Sequence, residues 1–179
     1  MTAGSRLGTV LIFAAVVGCG PSSNPSSNAG GSGGANGGGG SGGAASGDVF
    51  TWKESGTLHV ATTAGASRVN GPASQSINII GGDAAGTAVT LGIAQPVPPL
   101  TTGSFACGPV TTTAPSALLS YTNNDSSQME TCTIVLSTLG DTTGSRAKGT
   151  FSGTVPLRSG GSAVITDGVF DVTLTVNNL

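Results

Sequence analysis

The sequence predicts an all-β domain, a single antiparallel β-sandwich, with a closed β-barrel as the alternative arrangement. Three observations point there. Apolar residues recur at every second position in short runs, the period of a strand with one buried face. Turn-forming clusters of Gly, Asn, Asp and Ser separate those runs at intervals of roughly 8–15 residues, as in sandwiches and barrels. Lys, Arg, Asp and Glu together make up only 8% of the chain, and the abundance of Thr, Ser and Val suits a pleated, half-buried surface.

Phe50 and Trp52 share one face, Thr51 and Lys53 the other, and Glu54-Ser55-Gly56 makes a turn. Leu58 and Val60 then point inward, with His59 outward beside Thr57 and Ala61. Ile77 and Ile79 form a further inward pair ahead of Gly81-Gly82-Asp83. Val89, Leu91 and Ile93 alternate with Ala88, Thr90 and Gly92. Pro96, Pro98 and Pro99 mark a loop or an edge crossing, since proline cannot donate to a ladder. Ala117 to Tyr121 reads as a single helical turn. Cys132, Ile134 and Leu136 alternate with Thr131, Thr133 and Val135, and Phe151, Val155 and Leu157 lie opposite Thr150, Ser152 and Thr154. Phe170, Val172, Leu174 and Val176 close the series. Turns are expected at Asn123-Asn124-Asp125, Gly140 to Gly144, Ser159-Gly160-Gly161 and Asp167-Gly168.

These strands fill only residues 48–179. That segment holds all eight acidic residues and five of the six basic ones, and its length suits one core rather than two. No basic cluster offers a partner to a phosphate backbone, so nucleic acid is excluded as an expected ligand. Residues 1–18 are different: Arg6 is the one charge, and Leu7 to Val17 form an eleven-residue apolar run. The run is too short to span a bilayer, which takes about 20 residues, and has the length of a secretory-signal core. Residues 20–47 are almost wholly Gly, Ser, Asn and Ala before Gly47. Such a tract cannot bury enough surface to offset its ordering entropy, so 19–47 is expected to be a disordered tether spanning roughly 30 Å. Its G-x-G-x-x-G and G-x-S-x-G matches have no strand or helix beside them and carry no chemistry.

Val16-Val17-Gly18-Cys19 resembles the lipobox of bacterial lipoproteins. The resemblance implies a signal peptide cut after Gly18 and a diacylglyceryl thioether, with further acylation by a chain such as palmitate, on Cys19. It makes membrane lipid the expected partner. Gly20 stands where the family often has an Asp signalling inner-membrane retention, so the implied address is the outer membrane of a bacterial cell envelope. Two or three acyl chains are needed for a stable anchor, at about 0.8 kcal/mol per buried methylene. With Cys19 lipidated, Cys107 and Cys132 remain as an even pair in an oxidising compartment, and a disulfide is expected. Closing a loop of that size stabilises the fold by roughly 3–3.5 kcal/mol in the chain-entropy account.

No catalytic, metal or cofactor site is expected. His59, the only histidine, reads as an exposed strand residue. Glu54, Asp83, Asp125, Glu130, Asp141, Asp167 and Asp171 are the candidate carboxylates for a glycoside hydrolase. Most sit in turns, where Asp bonds its own backbone, while Glu130 and Asp171 fall on strands facing solvent. Asn123-Asn124-Asp125-Ser126-Ser127 is rich in oxygen but lacks the ligand spacing and terminal Glu of a calcium-binding hand loop. Tyr121 is the one aromatic expected to be exposed, and so the one candidate platform for a sugar. Gly149-Thr150-Phe151-Ser152-Gly153-Thr154 and Ile165-Thr166-Asp167-Gly168-Val169-Phe170-Asp171-Val172 resemble strands of small, uncharacterised envelope lipoproteins. That resemblance implies a β-sandwich and no activity. The expected function is a non-enzymatic structural or binding domain with an envelope protein or glycan as possible partner. A carboxylate- or His59-dependent hydrolase and a weak carbohydrate-binding module are the alternatives.

Overall fold

The computed structural model describes residues 47–108, 111, 113–122, 131–157 and 160–178, and these form strands, turns and loops without a helix. Ten strands run in chain order: β1 Val49–Glu54, β2 Thr57–Val60, β3 Thr63–Asn70, β4 Gln75–Gly82, β5 Ala88–Gln95, β6 Gly103–Ala106, β7 Ser116–Thr122, β8 Thr131–Leu139, β9 Arg146–Pro156 and β10 Ser162–Asn178.

One face of a sandwich is ordered β6-β8-β9-β10-β1-β2 and the other β10-β3-β4-β5-β7. The long β10 belongs to both. Its first part lies between β9 and β1, antiparallel to each, and its last residues, Leu174–Asn178, run parallel to β3. At the far side Cys107, just after β6, bridges to Ala117 of β7, and the Cys107–Cys132 disulfide joins that corner to β8. The path from β6 round to β7 is therefore nearly closed, a sandwich with a barrel-like seam.

The core follows the alternation read from the sequence. Phe50, Trp52, Ile77, Ile79, Val89, Leu91, Ile134, Leu136, Phe151, Phe170, Val172 and Leu174 are all buried, and so is Cys132. Three rings lie directly on glycine backbone: a Cβ at Gly81 would overlap the Phe50 ring, one at Gly168 the Phe151 ring, and one at Gly149 would strike Phe170 and the Val135 carbonyl.

Four local expectations are corrected. Ala117–Tyr121 is not a helical turn but the middle of β7, paired along its length with β5. Asp167-Gly168 is not a turn but a bulge inside β10, with Asp167 at positive φ and the register to β9 shifted between Ile165 and Gly168. The bulge has a packing consequence: the buried positions change from odd (Ala163, Ile165) to even (Gly168, Phe170, Val172), so one strand keeps its apolar side chains inside throughout. In β2, Leu58 and Val60 face solvent and His59 faces inward, the reverse of the reading above. Finally, Tyr121 is fully buried.

Candidate functional site

The inward turn of His59 follows from hairpin geometry. Ser55 and Gly56 both have positive φ, the requirement of a two-residue turn whose twist matches its strands. Such a turn sets the register Glu54 to Thr57, Lys53 to Leu58 and Trp52 to His59. Directly opposed residues share a face, so a buried Trp52 brings His59 in with it and sends Leu58 out beside Lys53. The two rings stack, with centroids 5.0 Å apart and planes 6° from parallel.

Three other polar groups meet the imidazole. Nδ1 lies 2.8 Å from Asp83 Oδ2, and Nε2 lies 3.5 Å from Glu54 Oε2. The Tyr121 hydroxyl, arriving from β7, donates to Glu54 Oε2. Asp83 is held in turn by its own loop, its Oδ1 accepting from the amides of Ala85 and Thr87. Burial alone would raise the Asp83 carboxyl. The hydrogen bond with His59 and those from Thr87 and Ala85 outweigh it and set the carboxyl below its ordinary value of 3.8. Glu54, His59, Asp83 and Tyr121 thus form one cluster at one end of the sandwich.

A second cluster lies where the described chain begins. Asp48, its side chain 2% exposed, accepts from Arg146 at 2.5 Å, from the Thr173 amide at 2.9 Å and from the Thr173 hydroxyl at 2.8 Å. Arg146 Nε also donates to Asp171 at 2.6 Å, and Lys148 pairs with the other Asp171 oxygen at 2.9 Å. Burial would lower the Arg146 guanidinium, but Asp171 and Asp48 raise it overall. Burial would raise the Asp171 carboxyl, but Lys148 and Arg146 bring it below 3.8. Asp171, expected to face solvent freely, is instead the hub of an ionic group.

Both depressed carboxyls give the same sign of pH dependence. Their stabilisation is complete above the unfolded-state value and is lost as pH falls through the folded-state one. The contribution of these two carboxyls to the urea midpoint should therefore be level above about pH 5 and fall below about pH 4. Asp171→Asn should flatten that fall. A midpoint unchanged down to about pH 2.5 would contradict the assignment.

The remaining described charges also have partners. Lys53 pairs with Asp167, and the buried Arg68 binds the Gly140 carbonyl, Asp141 and Gln75. No group of three potential metal ligands occurs among the described residues. A shallow dip of about 290 Å³ lies on the outside of the sheet over β8, β9 and β10, with Val135, Thr150 and Val169 in it and the Lys148–Asp171 pair beside it.

That outer face is regular. Ser104, Val135, Thr150, Val169, Thr51 and Val60 stand in register across β6, β8, β9, β10, β1 and β2. They form an uncharged row of hydroxyl and methyl groups about 4.8 Å apart.

Of the residues singled out in the sequence, Cys107 and Cys132 are joined as expected. Cys19, Asp125, Glu130 and the stretch from Asn123 to Ser127 lie outside the described residues. The sequence reading missed the His59 cluster, although the Ser55-Gly56 turn and an inward Trp52 together imply that His59 faces inward. No protein-family model, no curated protein and no solved structure matches this chain.

Proposed function

We propose that the chain is a lipid-anchored protein of the bacterial cell envelope, probing its surroundings with a non-enzymatic structural or binding β domain. The observation that carries this reading is Val16-Val17-Gly18-Cys19, which ends an eleven-residue apolar run and precedes an uncharged Gly/Ser/Asn tract. In this reading Cys19 holds the acyl chains, residues 20–47 are the tether, and the outer membrane is the address.

Two features of the fold support it. The Asp48 network fastens the chain to β9 and β10 at the residue where the tether would end, so a pull from the membrane meets buried ionic contacts before it reaches β1. The Thr/Val row across six strands, flanked on the same face by the Lys148–Asp171 and Lys53–Asp167 pairs, gives a broad, shallow contact surface for an envelope protein or a glycan. A hydrolase would need carboxylates open to a substrate. Glu54, Asp83 and His59 are instead engaged with one another. A sugar platform at Tyr121 loses its support because that ring is buried.

The test is processing of the native protein. Globomycin should make the uncleaved precursor accumulate, and mass spectrometry of the mature protein should show an N-terminal Cys19 carrying acyl mass. Cys19→Ala should remove both. A mature chain that begins elsewhere, or carries no lipid, would end the proposal.

A further inference from the structure

Trp52 and His59 are the only tryptophan and the only histidine of the chain, and they face each other across the β1–β2 hairpin. Each element packed around the imidazole contributes an identifiable group. From β1 come Glu54 and the indole face of Trp52; from the loop after β4 comes Asp83; from β7 comes the Tyr121 hydroxyl, bound to Glu54. Lys53, the nearest cation along the chain, lies on the opposite face of the hairpin and is paired with Asp167. The charges turned toward the ring are both carboxylates.

A neutral imidazole has one N–H. If Nδ1 gives it to Asp83, the Nε2 lone pair faces Glu54. Nε2 is buried and makes no hydrogen bond to any neighbour, which is a costly position for a lone pair pointed at a carboxylate. An imidazolium turns an N–H toward each carboxylate: it keeps the Asp83 bond at Nδ1 and makes the 3.5 Å approach of Glu54 to Nε2 an ion pair in place of a lone-pair repulsion. It also sets a cation over an indole at 5.0 Å, within the roughly 6 Å over which the ring quadrupole attracts one.

We infer that His59 is a proton-operated latch: doubly protonated, it draws both Glu54 of β1 and Asp83 of the loop after β4 onto β2, and loss of the Nε2 proton turns the Glu54 contact repulsive and loosens that corner of the fold. β2 is well placed to respond. It is a four-residue strand whose only ladder among the described residues is to β1. Beyond that ladder, the described bonds holding it and its exit to the second sheet are the His59–Asp83 contact and those from Thr62 to the Gly82 carbonyl. The side chains that would gain freedom include Leu58 and Val60, already 61% and 57% exposed. The trigger is the one side-chain type that ordinarily changes charge near neutral pH.

The chain carries its own reporter. An excited indole transfers an electron to a stacked imidazolium far more readily than to a neutral imidazole, so Trp52 emission reads the charge on His59. The experiment is a fluorescence titration of the full chain in detergent from about pH 5 to about pH 9. It is paired with amide hydrogen exchange over Thr57–Thr62, corrected for the intrinsic pH dependence of exchange. The expected result is a single-proton rise in emission, accompanied by a fall in protection of those amides. His59→Gln should lose the emission step. Glu54→Gln should keep the step but hold protection level through it, because the glutamine amide can donate to the neutral Nε2. The inference is overturned by the absence of a step, by a step that survives in His59→Gln, or by protection that stays constant across the step in the unaltered protein.

Discussion

Replacing Trp52 with alanine should destabilise the domain by about 3–5 kcal/mol, the usual cost of deleting a large buried aromatic. Trp52 has no exposed surface, meets Phe50 edge-on at 5.8 Å and is covered on its face by His59. Its removal empties the space between β1 and the His59 cluster, and against a typical total of about 5–15 kcal/mol the loss is a large fraction. Trp52→Phe should behave differently. The indole Nε1 is buried without a hydrogen-bond partner, and an unsatisfied buried donor costs about 1–3 kcal/mol. Phenylalanine removes that donor while leaving a smaller void, so its net cost should be about 1 kcal/mol or less. Urea unfolding followed by far-ultraviolet circular dichroism measures both variants without relying on the lost fluorophore. Equal losses for the alanine and phenylalanine variants would show that packing and polar satisfaction have been wrongly apportioned.

The second large effect is expected at Asp48. Alanine there leaves the Arg146 guanidinium, the Thr173 amide and the Thr173 hydroxyl short of an acceptor at once. Breaking one side of a buried pair costs about 3–5 kcal/mol. Arg146 keeps its pair with Asp171 and its side chain is 29% exposed, so no charge is left unpaired and a smaller loss, about 2–3 kcal/mol, is expected. Asp48→Asn keeps an acceptor oxygen for the Thr173 amide but not the charge, and should recover a portion of the loss. Equilibrium unfolding of the two variants at neutral pH checks the order. An alanine variant as stable as the parent would mean that the N-terminal edge of β1 is held by its ladder alone.

Most strands could be read from the sequence because their inward positions are filled by large apolar residues. β5 and β8 are examples, with Val89, Leu91 and Ile93 in one and Cys132, Ile134 and Leu136 in the other. β3 was not legible. Its inward positions carry Ala66 and the aliphatic stem and guanidinium of Arg68, which is buried through bonds to groups far away in the chain. β7 was obscured by Ala117-Leu118-Leu119, where Leu118 points outward at 43% exposure and breaks the alternation. β2 misled in the opposite way, since its alternation is clear but its phase is set by the neighbouring turn and not by hydrophobicity. The same reversal hid the candidate site, which rests on a cross-strand register, on a loop carboxylate 24 positions away at Asp83 and on the fully buried ring of Tyr121. Contacts between distant segments of this kind have no periodic signature for a single sequence to display.

The dual membership of β10 bears on how the domain reaches its native state. Its neighbours include β1, and the Asp48–Thr173 bonds that finish that pairing join residues 125 positions apart. Little of the ladder on either side of β10 is local except the hairpin with β9. A topology dominated by such distant pairings has a high contact order, and two-state domains of this kind fold in milliseconds to seconds, not microseconds. Slow closure leaves time for a polypeptide to be threaded through a translocation channel while still extended, as the proposed export of this chain would require.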